Sequence, residues 1–250
     1  MTAQYVLSLI FAIVALPCVA MSQIRPPNYE EALVPSFELP DVLLGRDGKR
    51  VESADGWEEQ RTYLVETLAN GEYGFAPQDQ VEVRLESFDD GSYTQGTEVY
   101  DAIRRRQFRV TLIRNGRSVA IDLLLWSPRH ASKPAACFLG LNFRGNQSTT
   151  DDPNVRITES WCDSRNPGVV DNRATDASRA NQLDRWPIRE IVGEGYALAS
   201  AYYGDIDPDF DDGFENGVHA LYPDFRCSDE HPERWGTIAA WAWGLSRLAD

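Results

Sequence analysis

With 250 residues, 42% apolar and 25% charged, the chain has the makeup of an ordinary globular protein and enough material for a sizeable core. Its 24 Lys and Arg stand against 39 Asp and Glu, a net charge of −15, and its most concentrated basic run is Arg104-Arg105-Arg106, on what reads as a strand edge. Nucleic acids and other polyanions need a basic stripe that is missing here, so they are excluded as partners, and the acidity reads as the solubility of an exported protein.

Tyr5 to Ala20 is a continuous apolar run broken by Ser8 and Pro17, with small residues at Ala20 and Ser22. That pattern predicts a signal peptide over residues 1–22, and hence a secreted or periplasmic protein without stable membrane insertion after cleavage. Met1 to Gln4 carry no Lys or Arg, which leaves an uncleaved anchor as the alternative. Later segments are too short in apolar residues to span a bilayer. Beyond the signal, Cys137 lies in an apolar stretch and reads as a buried thiol. Cys162 and Cys227 lie in loop-like sequence, where they either pair or remain free. None has metal-ligand spacing, so no metal is expected.

Residues 23–56 contain four prolines and little periodicity, predicting an extended lead segment before a domain over 57–250. Asp55 is placed to cap a helix from Trp57 to about Asn70, with Trp57, Leu64, Val65 and Leu68 on one face and Gly71 as its stop. Strands follow at 81–88, 106–114 and 118–126, the last two joined by Asn115-Gly116, a strong hairpin signal. The stretch 135–143 is apolar enough for a strand buried on both faces, as is 196–204, and 185–195 between them reads as a helix with Trp186, Ile188, Ile191 and Val192 inward. Strand, helix, strand is a parallel crossover unit. A last helix starts at His231-Pro232 and carries Trp235, Ile238, Ala239, Ala242, Leu245, Ser246 and Ala249 on its packing face.

Gly244-Leu245-Ser246 superficially matches a nucleophile elbow, but the elbow needs a strand before it and a second glycine after it. Helix-forming residues precede Ser246, and Leu248 stands in the glycine's place, so Ser246 reads as a packing residue. The alternating Asp205, Asp207, Asp209 and Asp211 suggest calcium, yet a calcium loop starting at Asp207 would need Gly at Asp212 and Glu at Val218, so a solvated loop is the expectation. Among the tryptophans, only Trp161 lies in a loop where it could stack on a sugar.

"GLNFRGNQ" (140–147), "RWPIREIVGEGYALASAYYGDIDPD" (185–209), "WGTIAAWAWGLSRLAD" (235–250) and "WEEQRTYLVETLANGEYGFAP" (57–77) together resemble the glucuronoyl esterases of carbohydrate esterase family fifteen, proteins sometimes labelled acetyl xylan esterases. The resemblance implies an α/β-hydrolase fold, a three-layer sandwich on a mostly parallel sheet, and a serine esterase of glucuronoyl or 4-O-methyl-glucuronoyl esters in glucuronoxylan and lignin–carbohydrate linkages, with no cofactor. The family's nucleophile lies in Gly-Cys/His-Ser-Arg-x-Gly-Lys on the strand after the helix at 235–250, with the acid and histidine later still. The chain thus reads as a partial domain ending before that strand, inactive by itself, and His130, His219 and His231 inherit no triad role. The loop after the third core strand supplies an oxyanion N–H in this fold, which marks Asn142, Arg144, Gly145 and Asn146 as candidate substrate-binding or oxyanion residues. A plain polar surface loop is the alternative, and Asn146-Gln147-Ser148 is also a glycosylation sequon. Two other functions stay open: a secreted carbohydrate-binding protein without catalysis, and a non-functional truncated product with an apolar sheet edge exposed.

Overall fold

The computed structural model describes residues 28–250, and the signal-peptide reading lies outside them. Residues up to Arg50 form one unit and Val51–Asp250 a second. In the first, a short 3-10 turn at Glu31–Leu33 precedes a bridge between Leu44 and Arg50, and Arg50 donates to Asp41 at 2.7 Å.

The second unit opens with α1 (Ala54–Leu68). Its cap is Ser53, whose Oγ accepts from Gly56 N at 3.1 Å, while the expected cap Asp55 sits in the first turn, where a carboxylate favours the helix dipole. The helix runs on through a π turn at Ala69–Tyr73 and stops at Gly74, not Gly71. Gly74 has φ +75°, and a Cβ there would lie 2.1 Å from Arg234 O, so only glycine lets these segments touch. The expected inward face of α1 is half open, with Val65 and Leu68 each 51% exposed.

The sheet comprises β1 (Glu82–Gln95), β2 (Glu98–Arg114), β3 (Arg117–Pro128), β4 (Cys137–Asn142) and β7 (Ala197–Tyr202), in the order β1-β2-β3-β7-β4. β5 (Val169–Val170) and β6 (Arg173–Ala174) form a separate small hairpin. The first four neighbours in the sheet pair antiparallel, and β4 pairs parallel with β7 through α2 (Ile188–Gly193), the expected crossover. Asn115 and Gly116 have φ +51° and +75°, the type I′ geometry that matches strand twist. The hairpin β1-β2 is much longer than its apolar alternation, reaching a turn at Gly96. Asp89 and Asp90 pair there with Arg105 and Arg104 across the strands and offset the poor strand propensity of Asp-Asp-Gly. The arginine run therefore lies inside the sheet, not on its edge.

Side chains alternate across β3. Ile121 and Leu123 join Val110, Leu112, Ile206, Trp235 and Trp243 on one face, while Leu124 and Trp126 join Tyr93, Ile188, Val192 and Leu198 on the other. The sheet is thus the middle of three layers. β7 is buried along its whole length, as expected. β4 is not: among the described strands only β7 pairs with it, which leaves Phe138 55% exposed and Cys137 exposed instead of buried. Cys137, Cys162 and Cys227 are all free thiols.

The last helix, α4 (Thr237–Ala249), starts after a turn in which Ser228 bridges His231, later than Pro232 suggested. Its phase is also reversed. Ala240, Trp243 and Gly244 are buried, Ile238 is 57% exposed, and Ser246 is exposed rather than packed. The small residues decide the orientation, because a Cβ on Gly244 would lie 2.6 Å from Ile206 Cγ2; the helix sits closer than larger side chains allow. Gly244→Ala should therefore destabilise the protein by about 1 kcal/mol net, overpacking of about 2 kcal/mol outweighing the roughly 1 kcal/mol gain in helix propensity. Urea unfolding checks this, with Ser246→Ala expected to be neutral. A stabilised Gly244→Ala would show that α4 is free to shift.

Candidate active-site loop

The parallel strands β4 and β7 end side by side at Asn142 and Tyr202, where open α/β sheets place ligands. After β4 the chain turns through Phe143 and Arg144 to Gly145, then enters a 3-10 turn at Asn146–Thr149. Gly145 has φ +93°, and a Cβ would meet Gln147 Oε1 at 2.4 Å and Thr158 Cγ2 at 2.7 Å, so the turn depends on glycine twice over.

The four candidate residues separate. Asn142 and Asn146 are buried, and their amides brace the loop from within. Asn142 Nδ2 donates to Asn146 Oδ1 at 2.7 Å and Ser200 Oγ at 2.8 Å, and Asn146 Nδ2 donates to Asp122 O at 2.8 Å. The sequon is accordingly closed to a glycan, since its amide nitrogen is both buried and engaged. Arg144 is half-buried, and among the described residues its guanidinium has no acceptor or ion-pair partner; Phe143 beside it is 54% exposed. The backbone N–H groups of Arg144 and Gly145 likewise donate to nothing among the described residues, although Gly145 is buried. Unpartnered N–H groups held rigidly at a strand's carboxyl end are what an oxyanion stabiliser requires.

Several residues of this region carry no signal in the sequence. Gln147, fully buried, donates to Arg144 O at 2.9 Å and Ser178 Oγ at 3.0 Å and accepts from Thr158 N at 3.2 Å, tying the loop to two distant segments. After β7, α3 (Tyr203–Ile206) carries Asp205 inward, so the expectation of a solvated loop fails at Asp205 and at the buried Asp207. Asp205 accepts from Ser160 Oγ at 2.6 Å, from Thr158 Oγ1 at 3.2 Å and from Asp122 N at 3.1 Å. Burial pushes its carboxyl up to about 6, against those hydrogen bonds. Aromatic pairs flank the loop: Phe143 with Tyr203 at 5.1 Å between ring centroids, and Trp161 with Phe210 at 4.9 Å.

The histidines are dispersed. His130 is exposed, His231 pairs with Glu233 at 3.2 Å, and His219 is fully buried between Phe214 and Trp235 with Nε2 3.6 Å from Asp207 Oδ2. Among the described residues no group of three His, Cys, Asp or Glu is placed to hold a metal, and no helix is long and apolar enough to cross a membrane.

Over 233 residues the chain is 36% identical to carbohydrate esterase MZ0003 from an unknown prokaryotic organism, covering 92% of this chain and 52% of that protein. A promiscuous CE15 esterase from the marine bacterial metagenome superposes with a TM-score of 0.70 at 36% identity, over 88% of this chain and 54% of the other. Over most of its length the chain is similar to CE15 esterases. A second CE15 relative, a glucuronoyl esterase from Solibacter usitatus, superposes with a TM-score of 0.69 at 32% identity, over 87% of this chain and 54% of its own. The α/β-hydrolase fold follows, and the mixed sheet with its antiparallel leading strands is this chain's share of it. No family model matches. The chain spans about half the length of these CE15 relatives.

Proposed function

We propose that this chain forms the oxyanion side of an exported carboxylic ester hydrolase acting on glucuronoyl or 4-O-methyl-glucuronoyl esters of plant cell-wall polysaccharide. The observation that carries the reading is the pair of unpartnered N–H groups at Arg144 and Gly145, beside a guanidinium without a partner among the described residues. The N–H groups suit the developing oxyanion and the guanidinium a polar group of the sugar ester. Kinship with glucuronoyl esterases supports the substrate class.

The 250 residues contain no Gly-Cys/His-Ser-Arg-x-Gly-Lys, so the chain alone should not hydrolyse a methyl glucuronate ester. It should still bind that ester weakly, with the affinity reduced about tenfold in Arg144→Ala, as measured by titration calorimetry. Hydrolysis by the purified chain that disappears in Ser246→Ala would defeat this reading, as would ester binding indifferent to Arg144.

A further inference from the structure

A cleft of about 640 Å³ lies away from the loop, between the segment that precedes β1, the end of β2 and the 3-10 turn at Pro223–Phe225. Its volume is that of a small-molecule site. It stands at the same end of the sheet as Asn142, because Arg114 pairs with Arg117 at the turn of β2-β3, and β3 runs antiparallel to β7 with Leu123 opposite Ala201. Strand spacing and rise put it roughly 20 Å from the Arg144 loop.

The walls are built rather than incidental. Phe75 N donates to Glu233 O at 2.8 Å and Gly236 N to Tyr73 O at 3.0 Å, which fixes the Phe75 side of the cleft. Arg114 on its floor is held by Asp79 at 2.7 Å, by Leu221 O at 3.0 Å and by the Tyr222 ring beneath it at 4.3 Å. Phe75, 37% exposed, and the half-buried Phe225 offer apolar ring faces. Around them stand Gln78, Asp79, Asp224 and Arg114.

This chemistry selects among ligand classes. One guanidinium already paired with a carboxylate, beside a second carboxylate, disfavours an anion. A wholly apolar ligand would cover Asp79 and Asp224 without hydrogen-bonding them, which is costly. A neutral sugar ring satisfies both demands, with its C–H face on phenylalanine and its hydroxyls donating to carboxylates and accepting from Arg114 and Gln78. We propose that this cleft is a neutral-sugar subsite that grips the polysaccharide at a distance from the ester. The choice of polysaccharide rests on the esterase reading; the class of ligand rests on the cleft.

The test is titration calorimetry of the chain with xylohexaose, with glucuronate and phenol in separate titrations. Xylohexaose should bind saturably, and Phe75→Ala and Asp224→Ala, both at exposed positions, should each weaken it about fivefold or more, while Arg84→Ala on the exposed part of β1 leaves it unchanged. Cooperative melting of each variant establishes that the fold persists. The proposal is overturned by an absence of saturation up to about 10 mM, by affinities equal in wild type and both variants, or by tighter binding of glucuronate or phenol than of xylohexaose. Ester binding at Arg144 is read in its own titration, so its failure leaves this result standing.

Discussion

Asp152→Ala should lower the unfolding free energy by about 3–5 kcal/mol, a large part of what holds a domain of this size together. Asp152 is fully buried and each of its carboxylate oxygens is doubly used. Oδ2 accepts from Arg105 Nη1 at 2.6 Å and Thr94 N at 2.9 Å; Oδ1 accepts from Asn154 N at 3.0 Å and Asn154 Nδ2 at 2.9 Å. Arg105, also buried, donates to Asp89 and to Ser92 O as well, so this one guanidinium clamps both strands of the β1-β2 hairpin to the segment that follows the Arg144 loop. Burial alone would raise Asp89, but the hydrogen bonds from Arg105 and Gln107 hold its carboxyl below the usual range. Truncating Asp152 leaves a buried cation with one carboxylate in place of two and strands the N–H groups it served. Asp152→Asn keeps the shape and one acceptor oxygen but turns an NH2 toward the donors of the other, so it should cost nearly as much. Arg84→Ala, which removes a pair exposed on both sides, should change stability by about 0.5 kcal/mol or less. Urea unfolding of the three variants checks the ranking. A cost below about 1 kcal/mol for Asp152→Ala would mean that water replaces the carboxylate in the folded state.

The contrast between Arg105 and Arg84 also shows what the sequence could and could not disclose. Local rules carry the Asn115-Gly116 turn, the crossover from β4 through α2 to β7, and the buried strand at 197–202, because each depends on neighbours a few residues apart. The rules fail where a distant partner decides. Asp89 and Asp90 lie past the strand expected at 81–88, and they are held in the sheet by diagonal ion pairs with Arg105 and Arg104 on the facing strand. The packing face of α4 follows from Gly244 meeting Ile206, a contact that its own hydrophobic periodicity points away from. At the candidate site, Gly145 and Arg144 were legible from loop chemistry and family resemblance. Asn142 and Asn146 looked like ligands because their amides are polar, and only the fold shows those amides turned toward Ser200 and Asp122. Gln147, Thr158 with Ser160, and Asp205 join the region from three separate segments, a convergence that no spacing encodes.

Asp205 makes that convergence sensitive to pH. Its carboxyl has an ordinary value of 3.8 and is raised to about 6 in the folded protein, chiefly by burial, with Asp122 adding repulsion and the donors from Ser160, Thr158 and Asp122 N opposing the rise. Because the folded state holds this proton more tightly than the unfolded chain does, the stabilising contribution is full below the unfolded value. It is lost as pH climbs through the folded one. About two pH units of separation correspond to roughly 3 kcal/mol, present near pH 4 and gone by about pH 7. Carboxylates such as Asp89 act in the opposite direction, so the raw stability profile mixes the two. The difference between wild type and Asp205→Asn isolates the effect, since Asn cannot titrate. Measured by urea unfolding, that difference should shift by about 3 kcal/mol in favour of the variant between pH 4 and pH 7. A difference that stays constant over the range would mean that Asp205 remains ionised in the folded protein throughout. The site is placed to feel the change: Asp205 accepts from Thr158, Thr158 N donates to Gln147, and Gln147 holds the Arg144 carbonyl. Hydrogen exchange at Arg144 and Gly145 should therefore quicken as Asp205 loses its proton, because the charge is buried beneath the loop that those two N–H groups belong to.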